Sequence, residues 1–241
     1  MTELKGIEIL TIEKDSFVIH PTIIWDDKQT LLIDTGMPGY MEDINLIMAK
    51  ANKSLEDLTA ILLTHQDIDH IGSLPDILTA CTQHLTIYAH KEDIPYIEGN
   101  LPLLKANPAK FTEKQWEALP DSLKFIYLHP PKAQVTDSLE DGQLLAINEG
   151  LEIIHTPGHT PGHISIFHKK SNTLIAGDAL VAVNGKLQLP NPVHTPDMDL
   201  AIQSIKKFLK YPIKQVVCYH GGIVSDNVIE QLQDLAKSKT V

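Results

Sequence analysis

Thr64-His65-Gln66-Asp67-Ile68-Asp69-His70-Ile71-Gly72-Ser73-Leu74-Pro75 is the stretch on which the reading of this chain turns. It follows a short apolar run, Leu58 to Leu63, which reads as a buried strand. His65, Asp67, Asp69 and His70 then offer four metal-ligating side chains within six residues. Imidazole nitrogen and carboxylate oxygen suit Zn, Fe, Mn or Co. A loop at a strand end lets such groups converge without the cost of burying each one alone. Taken by itself, the segment also reads as a polar turn with Asp69 capping a helix.

Outward from it lie three further elements of the same kind. His155-Thr156-Pro157-Gly158-His159-Thr160-Pro161-Gly162-His163 alternates histidines with Pro-Gly pairs. Those pairs enforce tight turns that hold His159 out from the backbone, whereas His163 reads as a supporting residue. Gly177-Asp178 puts a carboxylate directly after a buried strand, where it is costly unless paired or metal-bound. Tyr219-His220-Gly221-Gly222 is another strand end turning at glycines. An echo of the Gly-Asp element occurs early, in Ile33-Asp34-Thr35-Gly36. His155 and His168 fall on strands, and His20, His84, His90 and His129 read as ordinary residues; His194 reads equally as groove-lining or surface.

The rest of the chain alternates strands with helices. Strands are expected at Ile7 to Glu13, Phe17 to Trp25, Thr30 to Ile33 and Leu85 to Ala89. Others are expected at Gln143 to Ile147, Leu151 to His155, His163 to His168, Thr173 to Ala176 and Gln215 to Cys218. Helices are expected at Gly39 to Lys50 and Ser73 to Ala80, and from Asp226 onward with Val228, Ile229, Leu232 and Leu235 as the apolar stripe. Thr195 and Pro196 read as N-cap and first-turn proline of a helix to Leu209, with Leu200, Ile205, Phe208 and Leu209 on one face. Residues 91–135 carry recurrent prolines and short helical pieces, and read as an insertion over the body of a single domain spanning 1–241. Tyr96, Leu101, Leu103, Leu104, Phe111 and Trp116 are its candidates for a pocket wall, or for its own small core.

Composition narrows the function classes. The 241 residues are 43% apolar and 21% charged, ordinary for a globular chain. A net charge of −11 disfavours a nucleic-acid or anionic-membrane surface. No apolar run approaches the ~20 residues of a membrane span, and no signal peptide is seen. Cys81 and Cys218 are far apart, which suits free thiols in the cytoplasm.

In order and context, Asp34, the His65/Asp67/Asp69/His70 cluster, His159, Asp178 and His220 match the five sequence signatures of the metallo-β-lactamase-fold superfamily. The chain resembles that superfamily over nearly its whole length, most specifically in THQDIDHIGSLP, TPGHTPGH and AGD. The resemblance implies an αββα sandwich of the α/β class with its site in a groove at the sheet edges. It places His65, Asp67 and His159 at the first metal, Asp69, His70 and His220 at the second, and Asp178 between the two. It gives Asp34 a supporting role through hydrogen bonds. The departure is Asp67, where the superfamily pattern HxHxDH has histidine. A shorter side chain there is expected to leave the first site weak or empty; if it binds, the added negative charge favours a harder cation such as Fe or Mn beside Zn.

The expected function is that of a metal-dependent hydrolase with two divalent ions, zinc first among them. The substrate expected is a small ester, lactone or thioester, with a metal-activated water as nucleophile and Asp69 handling its proton. No nucleic-acid or membrane partner is expected. Glyoxalase-II-like enzymes contact glutathione through a helical C-terminal extension, and the chain stops too early for one. The alternatives are an iron-dependent redox enzyme of the same fold, motivated by Asp67 and the acidic residue at that place in flavodiiron proteins, and a degenerate non-enzymatic member.

Overall fold

The computed structural model describes residues 6–14 and 17–238. Two six-stranded sheets form its centre. The first runs Ile7–Ile9, Thr22–Trp25, Thr30–Ile33, Ala60–Leu62, Thr86–His90, Asp137–Leu139. The second runs Gly222–Val224, Gln215–Cys218, Thr173–Gly177, Ile164–His168, Leu151–His155, Leu144–Leu145.

Strand alternation sorts the apolar side chains into layers. Leu31, Ile33, Leu62, Ile153, Ile166, Ile175 and Val217 form one cluster between the sheets. Leu32 and Ile61 point the other way, into a cluster with Ile44 and Met48 of the helix Met41–Met48 and Leu74 and Ile77 of Leu74–Ala80. On the far side of the second sheet, Leu174 and Val216 meet Ile205 and Phe208 of Met198–Phe208 and Leu232 of Val228–Leu235. This is the αββα sandwich expected from the sequence.

Register decides where the chemistry gathers. Thr30–Ile33, Ala60–Leu62 and Thr86–His90 are mutually parallel neighbours, as are Thr173–Gly177 and Gln215–Cys218. Their C-terminal ends therefore open on common edges, and Asp34, His65, Asp178 and His220 follow those ends. The antiparallel pairing of Ile166 with Ile175 brings the turn that precedes Ile164 to the same place.

Several boundaries differ from expectation. The strand expected over 7–13 divides after Ile9, and that over 17–25 divides at Pro21. Pro21 has no N–H to give, and its carbonyl accepts from Leu10 N at 2.7 Å, so the chain bends into a separate ribbon of Ile12–Lys14 with Phe17–Ile19. The helix expected from Thr195 starts at Met198, capped by Asp197, whose side chain accepts from Leu200 N. Its buried face is Ala201, Ile202, Ile205 and Phe208, while Leu209 is exposed. Ile229 is likewise exposed on the last helix.

Candidate metal centre

Asp34 begins the site. It sits at φ 62°, a left-handed conformation tolerable for Asp, just past its strand. Its Oδ1 accepts from Thr64 N at 2.8 Å. Its Oδ2 accepts from the Thr64 hydroxyl at 2.7 Å and lies 2.8 Å from His70 Nδ1. Since the Thr64 hydroxyl donates to Asp34, its oxygen is left to accept from His65 Nδ1 at 3.0 Å. The network thus assigns a proton to Nδ1 of both histidines and turns Nε2 of each toward a common centre.

At that centre the expected residues meet. Asp67 Oδ2 lies 3.2 Å from His65 Nε2 and 3.1 Å from His159 Nε2. Asp178 Oδ1 lies 3.3 Å from His70 Nε2; its Oδ2 lies 3.3 Å from His159 Nε2 and 3.5 Å from His220 Nε2. Asp69 Oδ2 lies 3.2 Å from His220 Nε2 and 3.8 Å from His70 Nε2. Ligand atoms of three triads fall within 4.8 Å of one another: His65/Asp67/His159, His65/His70/Asp178 and Asp69/His70/His220. Asp67 does reach the others, so the shortness of its side chain does not keep it from the cluster.

These residues fit a metal ion. Among the described residues, the buried Nε2 atoms of His65 and His70 and Oδ1 of Asp178 have no hydrogen-bond partner. Each such group costs ~1–3 kcal/mol when left unsatisfied. All three face the cluster, and a cation shared among them removes that cost.

Electrostatics agree. Burial opposes ionisation of Asp178, yet His220 and His70 hold its carboxyl well below the usual carboxylate range. Burial likewise opposes Asp67, and His65 and Lys105 hold it well below that range. Burial opposes a charged His220, yet Asp178 and Asp69 push it up to about 10. Asp178 and Asp69 thus draw positive charge to the His220 imidazole, and a bound ion would supply that charge in place of the proton.

The supporting residues were partly visible in the sequence. His163 accepts from Asp178 N at Nε2, 2.9 Å away, and lies 2.8 Å from the Thr156 hydroxyl at Nδ1. Burial, with His65 next in effect, holds its pKa well below the ordinary histidine range, so it works as a neutral ring aiming Asp178. Gly177, at φ +55°, leaves room for that ring: a Cβ there would stand 2.8 Å from His163 Nε2. Tyr219 lies against His70 with ring centroids 3.9 Å apart, and its hydroxyl donates to the Asp69 carbonyl at 2.5 Å.

Two residues escaped the sequence reading. Asp93 is fully buried and accepts four hydrogen bonds, from Gln66 N at 3.0 Å, Gln66 Nε2 at 3.2 Å, the Thr160 hydroxyl at 2.8 Å and Gly162 N at 2.8 Å. It ties the loop of His65 and Asp67 to the loop of His159. Burial raises its pKa, with the Thr160 hydroxyl pulling the other way. Lys105 reaches Asp67 Oδ2 and lies 2.6 Å from His159 Nε2.

A cavity of roughly 910 Å³ opens over the cluster. Phe17, Met37, Ile68, Leu103, Leu123 and Tyr127 supply apolar wall, and the exposed His194 stands at the lining. Of the six wall candidates from residues 91–135, only Leu103 lines it. Phe111 and Trp116 instead pack on each other and on Tyr127, with centroids 5.6 to 6.5 Å apart. Elsewhere, His90, Glu92 and His155 also converge. There the His90 and His155 rings stack 3.9 Å apart, and His155 Nε2 lies 2.8 Å from the Pro161 carbonyl.

The fold agrees with the family comparison: the model of the metallo-beta-lactamase superfamily matches residues 17–220. The chain belongs to this superfamily and is a metallo-hydrolase of that class. It is 30% identical to the probable metallo-hydrolase YflN of Bacillus subtilis (strain 168), over 96% of this chain and 90% of that protein. It is 29% identical to the hydroxyacylglutathione hydrolase GloC of Haemophilus influenzae, over 73% and 72%. Among solved structures, the metallo-beta-lactamase family protein TTHA1429 of Thermus thermophilus superposes with a TM-score of 0.74, at 21% identity, over 97% of this chain and 79% of that one.

Proposed function

We propose that the chain hydrolyses a small ester, lactone or thioester, with one or two divalent ions, zinc foremost, at the His/Asp cluster. The observation that carries this reading is the set of orphaned atoms, Nε2 of His65 and His70 and Oδ1 of Asp178, gathered beneath a cavity that Asp178 lines. His65, Asp67 and His159 on one side, and Asp69, His70 and His220 on the other, are the proposed ligands, with Asp178 between them. When bound, the metal supplies Lewis acidity and makes a water acidic enough to ionise near neutral pH.

The residues do the rest. Asp34, Thr64 and His163 fix the imidazole tautomers and the Asp178 carboxylate. Asp69 borders the cavity and is the proton handler: its carboxylate takes the proton of the attacking water and delivers it to the departing oxygen or sulfur. Leu123, Tyr127 and Met37 take the apolar part of the acyl group, by burial of its surface. The relative named for hydroxyacylglutathione hydrolysis supports a carbonyl-centred reaction. The net charge of −11 supports a small-molecule substrate over a nucleic acid or an anionic membrane. No helix among the described residues is long and apolar enough to cross a membrane. The unpaired thiols of Cys81 and Cys218 support a cytoplasmic setting.

The test uses chelator-stripped and zinc-reloaded protein on a panel of acyl lactones, aryl esters and thioesters. Turnover of one of these classes that vanishes on stripping and returns on reloading is expected. Equal rates with and without metal overturn the reading.

A further inference from the structure

Lys105 is placed as no surface lysine would be. Its neighbours in sequence, Leu103 and Ala106, are buried in the core. The backbone between them is pinned, because Leu104 N donates to Gln66 Oε1 at 2.9 Å. Gln66 is in turn held by the buried Asp93. The side chain is only 22% exposed and ends between Asp67 and His159. These are two of the three residues that would hold the first of two ions.

An ammonium group has donors and no acceptor. At 2.6 Å from His159 Nε2 it therefore uses the lone pair that a metal would need. His159 then carries its proton on Nδ1, which faces the Thr195 hydroxyl at 3.2 Å. On Asp67 the ammonium engages Oδ2, the same oxygen that faces His65 and His159. Charge matches as well. Aspartate in place of histidine at position 67 adds one negative charge, and Lys105 adds one positive charge beside it. A neutral imidazole at 67 would give the ammonium no counter-ion.

We propose that the Lys105 ammonium takes the place of the first ion, so that the chain holds a single divalent ion on Asp69, His70, His220 and Asp178. The proposal rests on the metal-centre reading above. It makes Asp67 and Lys105 a matched pair, with the lysine supplying a positive charge at the His159 side of the cavity floor.

Stoichiometry tests it without reference to turnover. Ion-stripped full-length protein is titrated with Zn²⁺ alone, and bound metal per chain is measured by elemental analysis after gel filtration. Cobalt absorbance gives a second count. One ion is expected in the wild type, and two in Lys105→Met, which frees His65, Asp67 and His159. Lys105→Gln gives the same answer should the methionine variant fold poorly. Two ions in the wild type overturn the proposal and leave the metal-centre reading standing, as does a single ion in both lysine variants. No ion in any of the three proteins overturns both.

Discussion

Replacing Asp93 by alanine tests whether the site is built by the network behind it. The carboxylate accepts from Gln66 N, Gln66 Nε2, Thr160 Oγ1 and Gly162 N, all at 2.8 to 3.2 Å. Removing it strands two buried backbone N–H groups, each at a cost of ~1–3 kcal/mol, besides the lost hydrogen bonds to a charged acceptor. Against this stands the burial cost of the carboxylate itself, visible in its raised pKa, which alanine relieves. The balance is a loss of about 3 kcal/mol, or a fall in Tm of ~6–12 °C for a chain of this size. Because Asp93 joins the loops of His65 and His159, zinc affinity should also fall, by ~10-fold, the low end for groups that orient metal ligands. Asp93→Asn keeps the shape but offers one acceptor oxygen, and should lie between. Calorimetric melting and a chelator competition read the two effects. A variant that melts within ~2 °C of wild type and holds zinc equally well would refute the claim that Asp93 carries the junction.

Three other outcomes are expected. Gly158→Ala should cost about 3 kcal/mol by denaturant unfolding, because φ is +131° and the new Cβ would stand 2.6 Å from Ala201 Cα. Zinc at ~100 times its dissociation constant should stabilise the protein by ~2.7 kcal/mol, reversed by chelator, in a thermal scan. His90 is held down to about 4 by burial, then by His155 and Lys91. Its contribution is full above the unfolded pKa of ~6.5 and is lost as pH falls through ~6.5 toward 4. After discounting for partial solvent access the loss is about 1–2 kcal/mol, and His90→Gln should flatten that limb of the stability–pH curve.

The fold was legible because strand ends and ligand residues coincide in this sequence. Apolar runs such as Leu58 to Leu63 announce strands, and each of Asp34, His65, Asp178 and His220 comes just beyond one. Thr195-Pro196 misled for a definite reason. A Thr-Pro pair and Asp197 are both sound helix starts, and local spacing does not choose between them. The choice is tertiary: Thr195 is buried with its hydroxyl against His159 Nδ1, leaving Asp197 to cap. Asp93 had a local signal too, as an N-cap before Pro95, but its side chain makes no cap bond to that helix. It is spent on Gln66, Thr160 and Gly162, up to 69 positions away. Lys105 lies in a proline-punctuated stretch without periodicity, 54 positions from His159. No pattern in the chain records such approaches.

These facts divide the centre into halves that are held differently. Asp69, His70, Asp178 and His220 depend on strand register and on partners that flank strand ends, namely Asp34, His163 and Tyr219. Asp67 and His159 depend on side chains that bridge loops: Asp93 to Gln66, Gln66 to Leu104, and so to Lys105. A metal needs ligands fixed within a few tenths of an ångström of their ideal distances. The register-built half supplies that rigidity from the backbone. The bridged half meets an ammonium, whose rotating donors and flexible four-carbon stem accept looser geometry than a coordination sphere does. Asp93→Ala should therefore disturb the two halves unequally. Contacts of Lys105 with Asp67 and His159 loosen first, while Asp178, fixed through His163 and its own strand, keeps its place. What zinc affinity is lost passes through His65, whose ring lies 3.9 Å from that of His70.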